Sequence, residues 1–203
     1  MKRILRYIIA IIFIASGFVK AIDVKGFSFK LEEYFSPDVF NLTFLQNLTL
    51  EIAIFVVALE LVLGLMLLLK MKLKCTLISL IALCVFFAFL TFYSAYYNKV
   101  TDCGCFGDAI KFTPWQSFWK DMALLLGLII LWFLNKKSDT LHNENGFLKM
   151  PFLGIGILVS AFIIYYGIAH EPLIDFRDYK IGTDLNVEKQ KIAANPSEFK
   201  TSY

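Results

Sequence analysis

The sequence predicts an all-α membrane protein, a helical bundle of four core transmembrane helices plus a fifth C-terminal span. Three observations predict it. Of 203 residues, 58% are hydrophobic and only 18% charged, against about half and about a quarter in an average globular chain. The mean hydropathy is +0.66. The apolar residues fall in five continuous runs, not in the short alternating segments of a membrane β-barrel. Lipid offers no partner to an unpaired backbone group, so such runs must be helices. The same composition excludes a disordered chain. A net charge of +3 with no basic face gives no footprint for nucleic acid.

A span needs about 20 mostly apolar residues. The first runs from Ile4 to Ile22, the second from Leu50 to Leu69, and the third from Cys75 to Tyr97 without a charge. The fourth has its core at Met122–Leu134 and reaches full length from Trp115; the fifth is Pro151–Ala169. Lys2, Arg3 and Arg6 before the first apolar run, with Val19-Lys20-Ala21 after it, also have the outline of a signal peptide, the lesser of the two readings. The runs divide the chain into a four-helix unit at 1–135, an inner loop and fifth helix at 136–169, and a polar tail at 170–203. That tail is expected to dock on the outer surface or to begin a further external domain.

Lysine and arginine orient the spans. With the N-terminus inside, the inner segments carry nine basic residues and two acids, and the outer loops six basic residues and eight acids. Tyr93, Tyr96, Tyr97, Trp115, Trp119, Tyr165 and Tyr166 gather at the outer boundary, where amphipathic rings settle. The expected topology is a cytoplasmic N-terminus, five spans and an extracytoplasmic C-terminus.

The segment Asp102-Cys103-Gly104-Cys105-Phe106-Gly107-Asp108 lies in the outer loop between the third and fourth spans. Disulfides persist in the compartment it faces. Cysteines two apart can close a strained bond, which Gly104 eases, and strained exposed disulfides are the labile, catalytic ones. Cys103 and Cys105 are therefore the candidate catalytic pair. Asp102 and Asp108 would raise a thiol pKa, whereas Lys99 and Lys111 would lower it. Two plainer readings stay open: a structural disulfide that clips a partner to an anchoring or assembly subunit, and a metal site completed by His170. Cys75 and Cys84, in the third span, read as small packing residues.

These residues resemble a family. The Asp-Cys-Gly-Cys-Phe-Gly-Asp run looks like the signature of MauE-like membrane proteins within the wider DoxX-like group, and Ser16-Gly17-Phe18-Val19-Lys20 is similar to a DoxX-like pattern. The resemblance covers about the first four spans. It implies a bundle like that of vitamin K epoxide reductase relatives in a bacterial cell membrane. It further implies a role in making or servicing disulfides outside that membrane, with a thioredoxin-like protein or fused domain as partner.

Two charges fall inside the spans. Glu60, near the middle of the second, must face the bundle interior. It is expected to accept a proton, to touch a quinone headgroup, or to join helices by a hydrogen bond. Gly64 on the same face allows close approach. Lys20 is the available partner, but the depths on two straight helices differ by roughly 8–12 Å, so snorkelling toward Asp23 or the interface is the favoured expectation. Lys120 and Asp121 are expected to anchor the cysteine loop or to sit at the interface. Phe86, Phe87, Phe89 and Phe92 read as packing and lipid contacts. Asn41-Leu42-Thr43 and Asn47-Leu48-Thr49 match the glycosylation pattern, and capping of the second span accounts for Asn47 and Thr49 equally well.

Overall fold

The computed structural model describes residues 2–37, 39–97, 113–136 and 146–170. The described residues form seven helices: α1 Lys2–Ile22, α2 Val24–Phe35, α3 Thr43–Gln46, α4 Thr49–Leu69, α5 Leu73–Tyr97, α6 Pro114–Lys136 and α7 Gly146–Ala169. Five of them, all but α2 and α3, are long and apolar enough to cross a membrane. The apolar runs mark these spans in the sequence. Their large outward side chains, among them Phe55, Phe89, Leu126, Phe133, Leu158 and Phe162, are exposed, as a lipid-facing surface requires.

The helices alternate in direction, so one end of the bundle holds Lys2, Leu69, Leu73 and Lys136, and the other holds Ile22, Thr49, Tyr97 and Pro114. α4 packs along α1, α5 along α6, and α7 against α4 and α1. Glycine permits the closest of these approaches. A Cβ on Gly64 would lie 2.9 Å from Ile14 Cγ1 and 3.3 Å from the Ile14 backbone nitrogen. One on Gly17 would lie 3.0 Å from Leu61. Bare backbone at these two positions brings α1 and α4 together, the role small residues play between membrane helices.

The sequence reading leaves residues 23–48 as an outer loop, and the structure corrects this. α2 is a twelve-residue amphipathic helix that buries Val24, Phe27, Leu31, Tyr34 and Phe35. Asp23 starts it: its Oδ1 accepts the Gly26 N–H at 2.9 Å, the capping geometry that satisfies an orphan helix-end donor. With Asp23 at the α1–α2 junction, Lys20 is overlain by packed helix rather than by water, and Phe27 joins the core next to it. The capping expectation for α4 fails as well. Its N-cap is Leu48, without a side-chain bond, while Thr49 Oγ1 donates to the Gln46 carbonyl and Asn47 closes α3.

Two turns set the remaining ends. α4 stops at Lys70, which takes a left-handed conformation (φ 57°) and donates its N–H to the Leu67 and Met66 carbonyls. Such an ending returns the chain sharply into α5. α6 begins with a reciprocal capping box: Gln116 N–H donates to Thr113 Oγ1, and Thr113 N–H donates to Gln116 Oε1. Pro114 occupies the first helical position, where its missing N–H costs nothing.

The core has two apolar layers. Toward the Tyr97 end lie Ala21, Val24, Phe27, Val57, Leu61 and Phe87. Toward the Lys2 end lie Phe13, Leu63, Leu67, Leu80, Leu128 and Leu131. Between them sits a small set of polar side chains.

Candidate functional site

The polar set is built from four helices. Ser16 and Lys20, one turn apart on α1, share its inner face. Glu60 comes from α4, Thr91 and Cys84 from α5, and Asp121 from α6. All six are buried.

Lys20 and Glu60 form the tightest contact. Lys20 Nζ lies 2.7 Å from Glu60 Oε2, and the two side chains are 1% and 2% exposed. The ammonium also donates to Ser16 Oγ at 3.0 Å. It sits over the Phe87 ring, 4.4 Å from the centroid, with Phe27 at 5.6 Å. Ring faces carry partial negative charge, so Phe87 takes over part of the solvation that water would supply.

This pair corrects the snorkelling expectation. The close contacts of Gly17 with Leu61 and of Gly64 with Ile14 fix the α1–α4 register. In that antiparallel register Lys20 is level with about residue 58, so Glu60 lies only about 3 Å deeper at 1.5 Å per residue. The depth count on isolated helices placed Lys20 too high because it took the residues after Ile22 for a loop outside the membrane. A charged pair this enclosed must hold together, since each charge alone in hydrocarbon is costly.

Asp121 is the buried polar residue that the sequence reading under-rated. It does not sit at an interface. Its carboxylate turns into the bundle, receives the Thr91 hydroxyl at 3.4 Å, and meets Lys120 Nζ at 3.2 Å. Cys84 Sγ donates to the Asp121 backbone carbonyl at 3.3 Å. One signal for this was available. Asp121 opens the apolar core of the fourth span, seven residues into the helix that Thr113 caps.

Lys20, Glu60, Cys84, Lys120 and Asp121 line one shared cavity. Its free volume of about 10 Å³ is that of a single water molecule. A quinone headgroup is larger than this space. Among the described residues no cluster of three or more His, Cys, Asp or Glu side chains could hold a metal ion. His170 is exposed and stacks on Tyr166 with centroids 4.6 Å apart.

Cys103, Cys105, Asp102 and Asp108 lie outside the described residues, as do Lys99, Lys111 and the tail from 171 onward. Cys75 is exposed and Cys84 is buried. Phe86, Phe89 and Phe92 face outward as expected, whereas Phe87 turns in to Lys20.

A bundle of five spans with an ion pair sealed between its helices defines a multi-pass α-helical membrane protein. The chain belongs to the family described as methylamine utilisation protein MauE, which it matches over residues 1–134. That stretch includes every residue of the polar set. The chain is also 26% identical over 165 residues to Protein TlpB of Flavobacterium psychrophilum, an alignment covering 79% of this chain and 43% of the relative. The chain thus spans less than half the length of the curated relative it matches. No solved structure matches it.

Proposed function

We propose that this protein is a membrane-embedded thiol–disulfide redox protein that exchanges electrons with an extracytoplasmic thioredoxin-like partner through Cys103 and Cys105. The observation that carries the reading is the Cys103-Gly104-Cys105 pair itself, within the stretch that matches the MauE family and in the segment joining α5 to α6. Vicinal thiols on either side of a glycine suit cycling between dithiol and disulfide. In the exchange, the thiolate of one cysteine attacks the partner's disulfide and one partner sulfur leaves as thiolate. The second cysteine then resolves the mixed disulfide. The pair is oxidised and the partner reduced, or the reverse.

The charge distribution supports the orientation this requires. Lys70, Lys72 and Lys74 flank the α4–α5 turn, and Lys2, Arg3 and Arg6 begin α1 at the same end of the bundle. The opposite end carries the exposed rings of Tyr96, Tyr97, Trp115 and Trp119. By the positive-inside rule the Lys2 end is cytoplasmic, and the cysteine segment and C-terminus are extracytoplasmic, in the inner membrane of a bacterial cell. Residues 1–135 form the redox bundle in this reading, 136–169 the inner loop and fifth helix, and 170–203 an extracytoplasmic tail or the start of a further domain. Acid-quenched thiol trapping of Cys103→Ser and Cys105→Ser tests the proposal. Mixed disulfides with a partner are expected from at least one variant, and their absence from both rejects it.

A further inference from the structure

Two carboxylates reach the interior of the bundle from different helices, Glu60 from α4 and Asp121 from α6. α6 packs on α5 and α1, and among the described elements no comparable packing joins it to α4. Yet Glu60 and Asp121 line one cavity, together with Ser16, Lys20 and Cys84. Each carboxylate keeps hydrogen-bonding capacity there. Lys20 donates to Glu60 Oε2 at 2.7 Å, and among the described residues no other hydrogen bond reaches the Glu60 side chain. Its Oε1 therefore has no protein donor among them, although the side chain is only 2% exposed. A buried acceptor in that state is costly. Asp121 Oδ2 faces Thr91 Oγ1 at 3.4 Å, longer than a good O–H···O bond.

The charges on the lining decide what belongs in this space. Lys20 neutralises Glu60 at 2.7 Å, and Lys120 neutralises Asp121 at 3.2 Å. A further cation there would meet two ammonium groups, and an anion would meet two carboxylates. A neutral polar molecule meets neither penalty. The free volume of about 10 Å³ is that of one water, and a small cavity takes up water when it offers two or more polar partners. From this geometry we infer that the cavity is a binding site for a single water molecule, which donates one O–H to Glu60 Oε1 and the other to the Asp121 carboxylate. The Lys20 ammonium lies on the same lining as a donor to the water oxygen. The water ties α6 to α4 where the two helices do not pack. It supplies the carboxylates with solvation that hydrocarbon lacks. Its place in the bundle does not depend on the redox reading of the cysteines.

The test uses the full chain and has two arms. In the first, a high-resolution crystal structure grown from a lipid phase should show a density peak within about 3 Å of Glu60 Oε1 and of one Asp121 carboxylate oxygen. No peak there overturns the site. A peak at about 2.4 Å from several oxygens marks a metal cation and overturns it too. In the second arm, Cys84→Ala and Cys84→Val are melted side by side. Both lose the thiol bond to the Asp121 carbonyl. Alanine leaves the space open, whereas valine fills it with methyl groups. In a dry cavity the larger apolar side chain packs better and melts higher. In a hydrated one it expels the water and strands both carboxylates, so Cys84→Val should melt about 2–4 °C below Cys84→Ala. Cys84→Val melting level with or above Cys84→Ala overturns the site. If Cys84→Val yields no folded protein, the wild-type density decides.

Discussion

Lys20 Nζ and Glu60 Oε2 lie 2.7 Å apart in the interior of the bundle, with neither side chain more than 2% exposed. The pair joins α1 to α4 at the level where bare glycine backbone lets these helices approach. Removing one member leaves the other charge buried and unpaired, a loss of about 3–5 kcal/mol. Lys20→Met or Glu60→Gln alone should therefore lower the thermal midpoint in detergent sharply. The double variant should recover most of the loss, since an apolar replacement of both partners is close to neutral. A double variant as unstable as the sum of the singles would show that the two residues act independently.

Two glycines of α7 should respond in opposite ways to the same change. A Cβ on Gly167 would lie 2.8 Å from the Ile22 carbonyl oxygen, and backbone cannot step aside as a flexible side chain can. Gly154 has nothing within 4 Å of that position. Gly167→Ala should cost about 1–3 kcal/mol as α7 is pushed from α1. Gly154→Ala should be neutral or gain up to about 1 kcal/mol from helix propensity. Thermal melts of the two variants side by side measure the difference, and equal midpoints would mean that α7 does not pack on the end of α1 as described.

Cys75 gives a direct reading of orientation, because it is exposed near the Lys2 end of α5. In a Cys103→Ser/Cys105→Ser background, a membrane-impermeant maleimide should label Cys75 only after the cells are permeabilised. Cys84, buried against Asp121, should stay unlabelled until the protein is denatured. Labelling of Cys75 on intact cells would invert the topology.

The spans were legible in the sequence because lipid imposes one requirement on every residue of a crossing helix. Continuous apolar runs alone locate Thr49–Leu69 and Leu73–Tyr97 to within two residues of the expected start. α2 was not legible. Its sequence, Val-Lys-Gly-Phe-Ser-Phe-Lys-Leu-Glu-Glu-Tyr-Phe, is too polar for a span. Only its packing against α4 and α7 shows that its apolar face is buried.

The site was legible in part for a related reason. Glu60 announces itself, because a carboxylate amid leucines and valines must turn inward. Its pairing with Lys20 does not, since that depends on the helix register, which Gly17 and Gly64 set through contacts between helices. Asp121 stayed hidden beside Lys120 because the two together imitate an ordinary charged boundary. Phe87 stayed hidden because one ring among many apolar neighbours carries no mark of the cation beneath it.

The central claim is that Cys103 and Cys105 exchange disulfides with a partner outside the membrane. Trapping in whole cells tests it most directly. Cys103→Ser and Cys105→Ser are expressed singly, the cells are quenched with acid, free thiols are blocked, and the protein is run under non-reducing conditions. The account predicts a mixed disulfide with a thioredoxin-like protein in at least one variant, released by reductant and absent when both cysteines are replaced. No such adduct in either single variant, together with a wild-type Cys103–Cys105 bond that resists reduction by thioredoxin, would contradict it.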